Sequence, residues 1–333
     1  MTHDNTAFSG HPHIVDGPWT REARQKAVDE EILEAFIEYF GRAMKFRRWS
    51  PWHDLPLEEM KEYGDRLSED TINIVEGFLG VEEYIGDYVL AGLEMFRNNR
   101  TRRNFQLQWG AEEMKHGIGW ELFLIHSGVR TPEQVHDYLK KVTDHRWDPK
   151  NHKGLDTPLG VAVYAMAQER ATYYNYENVR LRIREEYGLS AKPTAEEKAR
   201  GKEVGAAEIC RVIGVDEVAH HAMFLKMVQI HLKYFPEETL DMIHEVFGNF
   251  MMPALRLIPN RKAFIRSIIR TKLQTADTQR DVVENPIFRA LGLADDKAFN
   301  VAMQEAKLLP EGLGPEHVTL GKNGKFVIAA SPA

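Results

Sequence analysis

The sequence predicts an all-α fold, a large helical bundle finished by a small C-terminal β-hairpin. Three observations lead there. Apolar residues recur at helical spacing from Thr20 to about Leu293, the breaks between periodic segments are short, and only Val318 to Ile328 reads as strand, turn and strand. The expected organisation is an N-terminal arm over 1–19, a bundle domain over 20–295 and a C-terminal extension over 296–333 that carries the hairpin.

Local signals justify each element in turn. In residues 1–19, Gly10, Pro12, Gly17 and Pro18 interrupt any periodicity. Thr20 caps a helix to about Phe46, with Ile32, Leu33, Phe36, Ile37 and Phe40 as its apolar stripe. Residues 48–58 hold two Trp and two Pro and read as a turn. Ser68 caps a helix to about Arg97, and a basic link (Arg97, Arg100, Arg102, Arg103) leads into the next, which ends near His126. Thr131-Pro132 opens a short helix, and 144–156 form a loop. Thr157-Pro158 starts a long helix to about Glu186, ended by Gly188. After a polar stretch, another long helix runs from about Gly201 to Tyr234, where Pro236 stops it. Further helices are expected over 237–251, 261–275 and 277–292. Asn323-Gly324 between two β-prone runs gives the hairpin.

Composition narrows the function classes. The chain has 333 residues, 43% hydrophobic and 28% charged, as a soluble globular protein has. A net charge of −7 offers no electrostatic case for nucleic acid. Cys210 is the only cysteine, which excludes an internal disulfide and a Cys-rich zinc site. No run of about 18 apolar residues exists to span a membrane. Residues 1–19 lack the apolar core of a signal peptide, so the cytoplasm is the expected location.

The chemistry lies in two Glu-x-x-His pairs, Glu113 with His116 and Glu217 with His220, each inside a long helical segment. Each has a lone Glu on another segment upstream, Glu82 for the first and Glu169 for the second. Residues three apart share a helix face, so each pair can reach one metal ion. One Glu from each of two helices and one Glu-x-x-His from each of two others is the ligand set of a carboxylate-bridged di-iron or di-manganese site. The surroundings strengthen the reading. Val75, Phe78, Leu79, Ile85 and Val89 share a face with Glu82, Ala162, Ala165, Met166 and Tyr173 with Glu169, Trp109 and Trp120 with Glu113, and Ile213 and Phe224 with Glu217.

Unpaired carboxylates in such stripes would cost several kcal/mol or would protonate. Two divalent irons against four Glu and two neutral His balance the charge, and carboxylates with a few imidazoles suit iron or manganese. Glu112 and Asp216, which precede ligand Glu residues, are expected to orient His220 and His116 respectively. Composition alone gives roughly one or two Glu-x-x-His in such a chain. A third copy, Glu133 to His136, has no partner Glu on an apolar face and reads as surface chance. His221 reads as pointing away from the site. Tyr173, Tyr174 and Tyr176 read as core packing, with a radical site as the rarer alternative. Gly77, Gly80, Gly86, Gly110, Gly117 and Gly119 inside helices imply close helix approach or room for a slender substrate.

The motifs Trp109-Gly-Ala-Glu-Glu-Met-Lys-His116, Gln168-Glu-Arg-Ala-Thr172, Asp216-Glu-Val-Ala-His220 and Arg48-Trp-Ser-Pro-Trp52 resemble those of the soluble acyl-[acyl-carrier-protein] desaturases, a ferritin-like di-iron family. The resemblance covers roughly residues 20–295. It places the family's iron ligands on Glu82, Glu113, His116, Glu169, Glu217 and His220. It also gives Thr172 a role in oxygen activation, and Trp49, Asp216 and His116 a route for electrons from the surface. It implies a ferritin-like bundle with additional helices, a homodimer, two iron ions with manganese as the alternative, a ferredoxin-like donor, and O2 as oxidant. The implied activity is formation of a cis double bond in a fatty acyl chain carried on acyl carrier protein. Hydroxylation or N-oxygenation of a carrier-bound substrate starts from the same ligands, and a ferritin-like metal store is the alternative outside that chemistry. The basic link and a later run (Arg261, Lys262, Arg266, Arg270) either receive an acidic carrier protein or are solvated turns. Where the family motifs carry Arg, this chain has Lys115 and Ala219. Those departures, a shorter link between the Glu82 and Glu113 helices, and the hairpin point to a bacterial branch acting on an unusual acyl chain.

Overall fold

The structure, a computed structural model, describes residues 19–329. The arm expected over 1–19 lies, apart from Trp19, outside the described residues. The helices are α1 (Arg21–Phe46), α2 (Pro51–Asp54), α3 (Leu57–Tyr63), α4 (Glu69–Glu82), α5 (Ile85–Met95), α6 (Arg100–His126), α7 (Pro132–Thr143), α8 (Pro158–Glu186), α9 (Ala195–Arg200), α10 (Ala206–Tyr234), α11 (Pro236–Gly248) and α12 (Arg261–Thr271). Then α13 (Ala276–Gln279) runs through a π-helical turn at Arg280–Glu284 into α14 (Asn285–Ala290), and α15 (Asp296–Ala306) follows. The chain finishes in β1 (Val318–Leu320) and β2 (Phe326–Ile328), antiparallel, with Val318 opposite Ile328.

Capping side chains start the long helices as the sequence signals. The Thr20, Ser68 and Thr157 hydroxyls accept from Ala23, Thr71 and Gly160 amides, and Thr131 forms a reciprocal box with Gln134. Four long elements, α4 continued by α5, α6, α8 and α10, form the central bundle. Neighbours run antiparallel. On α8 and α10, His221 meets the Met166 carbonyl at 2.7 Å, Tyr173 lies against Gly214, and Tyr187 faces Ala206. On α4 and α6, Phe78 packs against Trp120, and Glu76 pairs at 2.9 Å with Arg130 in the turn just past α6. Fully buried Ile213, Ile183 and Val228 tie α8 and α10 to their neighbours, each contributing about 1.5–3 kcal/mol. Outside this core, α12 packs on α4, α1 on α10 and α6, α11 on α8 and α10, and α15 on α11.

The structure departs from the sequence expectations in five places. The helix expected over 68–97 is two helices, because Tyr84 turns inward and its hydroxyl donates to the Val142 carbonyl at 3.0 Å. That tertiary contact overrides local propensity and leaves Glu82 on the last residue of α4. The turn over 48–58 contains α2 and the start of α3. The second Glu-x-x-His helix starts at Ala206, because Gly201 adopts a left-handed φ of 70° and closes the separate α9. The extension holds α15, capped by Asp295, besides the hairpin. On α1, Ile32 is buried, whereas Leu33, Ile37 and Phe40 are each about two-fifths exposed and continue into exposed Met44.

Close approach explains some helical glycines. A β-carbon on Gly77 would stand 2.0 Å from the Phe264 ring of α12, and one on Gly110 would stand 2.3 Å from Val89. Gly86 has nothing within 4 Å. Gly77→Ala is therefore expected to cost about 1–3 kcal/mol through overpacking. Gly86→Ala is expected to stabilise by up to about 1 kcal/mol through helix propensity. Urea unfolding of the two variants checks the opposite signs.

Candidate metal centre

Four helices deliver the six residues to one place. Glu82 comes from the end of α4, Glu113 and His116 from the middle of α6, Glu169 from α8, and Glu217 and His220 from α10. Ligand atoms of Glu82, Glu113, His116 and Glu217 lie within 4.8 Å of one another, and so do those of Glu113, Glu169, Glu217 and His220. Glu113 and Glu217 belong to both sets. Two four-donor groups therefore share two carboxylates, the layout of a carboxylate-bridged metal pair.

The two imidazoles are held the same way. Nε2 of His116 meets Asp216 at 3.3 Å and Nε2 of His220 meets Glu112 at 3.1 Å, as the sequence pairing anticipates. With Nε2–H donated to a carboxylate, the Nδ1 lone pair is left for the centre. Nδ1 of His116 lies 3.2 Å from Glu113 and 3.5 Å from Glu217, and Nδ1 of His220 lies 2.7 Å from Glu113. Both Nδ1 atoms, Glu113 Oε1 and Glu217 Oε2 are buried without a hydrogen-bond partner. Four inward-facing orphans at one point, all carboxylate or imidazole and none thiolate, fit a pair of iron or manganese ions.

The flanking carboxylates are themselves secured. Glu112 accepts from Arg47 Nε at 3.1 Å and from the Tyr39 hydroxyl. Asp216 accepts from Trp49 Nε1 at 2.8 Å and from Lys115 Nζ at 3.3 Å. The Lys115 ammonium also sits 4.7 Å from the Trp49 ring, and that ring stacks on His116 with 7° between planes. Thr172 donates its hydroxyl to the Gln168 carbonyl at 2.9 Å and accepts from Gln168 Nε2 at 3.1 Å. Tyr176, expected to pack in the core with a radical site as the rarer alternative, donates its hydroxyl to Glu82. His136 is exposed on α7, and His221 is turned to the Met166 carbonyl.

Proton energetics show the strain of this charge density. Burial, reinforced by Glu113, pushes the Glu82 carboxyl up to about 8. Burial and the neighbouring Glu113 and Glu169 raise Glu217 well above the carboxylate range. Burial would raise Glu113 too, but His116 and His220 outweigh it and hold that carboxyl low. His116 rises to about 10, because Glu113 and Asp216 outweigh the cost of burying its cation.

A narrow cavity of about 100 Å³ ends on these groups. Glu82, Glu113, Glu169, Glu217 and Thr172 line one part, and apolar side chains such as Phe78, Ile85, Leu155, Val161 and Phe224 line much of the rest. A wider groove of about 1510 Å³ opens between α1 and α10. Tyr39 and Arg47 line that groove, and both hydrogen-bond Glu112. The narrow cavity is the one the carboxylates face.

Several contacts here were not read from the sequence. Tyr176 lies seven residues after Glu169, on the same face, and that spacing was the available signal. Tyr39 and Arg47 carried none, because their roles depend on how α1 crosses the bundle. The basic link also divides: Arg102 is buried against His231 at 2.7 Å, which removes it from any carrier-binding surface.

A buried, carboxylate-bridged donor set inside an antiparallel helical bundle defines the ferritin-like carboxylate proteins as a class. The sequence profile of the fatty acid desaturase family matches residues 97–289, and the chain belongs to that family. Among curated relatives, it is 24% identical to the chloroplastic stearoyl-[acyl-carrier-protein] 9-desaturase of Gossypium hirsutum, over 58% of this chain and 48% of that one. It is also 24% identical to the chloroplastic acyl-[acyl-carrier-protein] desaturase of Cucumis sativus, over 62% and 52%. The chain thus spans about half the length of the curated relatives it matches. In fold it is similar to DesA2 of Mycobacterium tuberculosis H37Rv, a candidate acyl-ACP desaturase, with a TM-score of 0.54, 15% identity, and 81% and 96% of the two chains covered. Among the described residues, no helix is long and apolar enough to cross a membrane.

The proton balance gives a test that needs no substrate. In metal-free protein, Glu82 keeps a proton to about pH 8 that the unfolded chain releases near 4.5. His116 keeps one to about pH 10 that the unfolded chain releases near 6.5. The folded state binds more protons across this window, so its stability falls as pH rises. The lowered Glu113 does not oppose this, because its contribution is complete above about 4.5. The melting temperature of the metal-free protein should decline from about pH 5 to about pH 9. Loading with Fe(II) should raise it most at the alkaline end, where the carboxylates are free of protons. Scanning calorimetry across the range reads both effects, and a metal-free melting temperature that climbs with pH contradicts the assignment.

Proposed function

We propose that the protein is a di-iron, O2-dependent desaturase that places a cis double bond in a fatty acyl chain carried on acyl carrier protein. The observation that carries this reading is a narrow, mostly apolar cavity ending on the shared carboxylates. Glu82, Glu113 and Glu217 with His116, and Glu113, Glu169 and Glu217 with His220, would hold the two iron ions, with manganese as the alternative. Iron there would supply O2 reduction and removal of hydrogen from an unactivated methylene.

The chain's own residues set the geometry. The cavity walls exclude water and hold an extended chain, so that particular carbons meet the carboxylate face. Thr172, on the same wall with its hydroxyl held by Gln168, would pass a proton toward the centre once its bond to the Gln168 carbonyl is released. Trp49, stacked on His116 and joined to it through Asp216, gives electrons from a ferredoxin-like donor a path inward. Exposed Arg97, Arg100 and Arg103 provide a cationic surface for an acidic carrier protein. The exposed Leu33, Ile37, Phe40 and Met44 edge of α1 supports a homodimer. The cytoplasm is the location proposed for the enzyme.

Anaerobic reconstitution with Fe(II), exposure to O2, and mass analysis over a panel of acyl-carrier substrates test the reading. Loss of two hydrogens identifies desaturation, whereas gain of oxygen identifies hydroxylation or N-oxygenation. Rapid iron turnover with every acyl substrate unchanged indicates a metal store. Glu113→Ala or Glu217→Ala should abolish turnover and lower bound iron, because each removes a donor common to both ions. His136→Ala should change neither, and full activity in the Glu217 variant would end the ligand assignment. Trp49→Phe should keep its iron but be reduced by the protein donor at least about tenfold more slowly, which stopped-flow absorbance resolves.

A further inference from the structure

We propose that the cavity is built for an acyl chain that carries hydroxyl groups and not for a bare alkyl chain. The inference rests on the acyl-chain reading above and narrows its substrate class. Among the described residues, nine buried side-chain nitrogen or oxygen atoms have no hydrogen-bond partner. Six belong to the carboxylate–imidazole cluster and its flanking residues Arg47 and Asp216. The other three, Trp109 Nε1, Trp147 Nε1 and Asn175 Oδ1, are all on residues that line the cavity.

Their neighbours in the cavity wall are satisfied, which makes the three stand out. Gln106 donates to the Tyr88 carbonyl at 3.1 Å, and Tyr164 donates to Gln168 Oε1 at 2.9 Å. Asn175 is 6% exposed, and its Nδ2 is directed at Gln274 Oε1 at 3.5 Å, which fixes the amide with Oδ1 unpaired. It lies one helical turn beyond Thr172 and next to Tyr176, whose hydroxyl binds Glu82. Trp147 is 8% exposed and is held by its ring and backbone, between Tyr88 at 4.3 Å and His152 at 5.9 Å, with its amide on Asp87. Trp109 sits one turn before Glu113, edge-on to Phe224.

A plain methylene chain would leave these already buried groups without partners, whereas a chain hydroxyl would supply one and gain the hydrogen bond. The indole nitrogens require an acceptor and the asparagine oxygen requires a donor. A hydroxyl is the simplest substituent that serves either. A carbonyl would serve the tryptophans alone. Specificity built this way is strong, because the chain lacking the oxygen leaves the wall unsatisfied.

The test compares N-acetylcysteamine thioesters of hexadecanoic acid, unsubstituted or with one hydroxyl near the thioester, at mid-chain or near the tail. Binding to the full-length protein is measured under argon by calorimetry. At least one hydroxylated chain should bind about tenfold more tightly than the unsubstituted one, equivalent to about 1.4 kcal/mol. Asn175→Leu should erase the preference for one hydroxyl position and Trp147→Phe the preference for another, with circular dichroism confirming that both remain folded. Equal or tighter binding of the unsubstituted chain in the wild type overturns the proposal while leaving the acyl-chain reading intact, and would mean that water satisfies these atoms. A preference that survives in both variants also overturns it. If no thioester binds at all, the acyl-chain reading itself falls, and this inference with it.

Discussion

Charge balance in an apolar interior is the constraint on which the rest of the structure depends. Glu82, Glu113, Glu169 and Glu217 share a space small enough that their donor atoms lie within 4.8 Å in overlapping sets. Left alone, such a group resists ionisation, which is why burial and mutual repulsion raise Glu82 and Glu217 while the imidazoles retain their protons. Divalent cations would resolve the conflict more completely than protons, because each ion would meet several carboxylates at once. A single helix could not assemble this set. Four helices must run side by side, and the antiparallel pairing of α4 with α6 and of α8 with α10 meets that requirement.

The same constraint reaches the periphery of the bundle. Helix α4 stops at Glu82 because Tyr84 turns in toward the Val142 carbonyl, so one carboxylate of the cluster stands at a helix end and not on a continuous cylinder. Tyr39 and Arg47, from α1 and its end, carry no donor to the centre yet fix Glu112, which fixes His220. Trp49 does the corresponding work for Asp216 and His116. Removing α1 would therefore loosen the cluster without touching any of its six residues.

What could be read from the sequence follows from this division. The convergence of the six side chains was legible because helical spacing puts Glu113 with His116 and Glu217 with His220, and because their faces are apolar. The pairing of Glu112 with His220 and of Asp216 with His116 was legible from adjacency within each motif. The hairpin was legible from Asn323-Gly324, where Gly324 takes a φ of 83°. Tertiary effects were not. The break at Tyr84, the burial of Arg102 on His231, and the exposure of Leu33, Ile37 and Phe40 each depend on what packs opposite, and periodicity carries no record of the partner. Asp295 is a sound cap signal for α15, but the short apolar pattern after it was absorbed into the extension.

The departures from the family motifs fit the same account of charge. An arginine is absent at Ala219, and Lys115 replaces the other, yet the flanking carboxylates are not left without cations. Lys115 Nζ stands 3.3 Å from Asp216, and Arg47 stands 3.1 Å from Glu112 and 3.8 Å from Asp216. One guanidinium from the end of α1 thus bridges the two carboxylates that orient the two imidazoles. With that charge supplied from α1, position 219 is free to be small, and Ala219 accordingly lines the wide groove between α1 and α10. The substitution changes the outer surface over the centre and leaves the electrostatic frame of the centre in place. The change at position 219 therefore falls outside the electrostatic frame, and the balance of cations and carboxylates around the cluster is preserved.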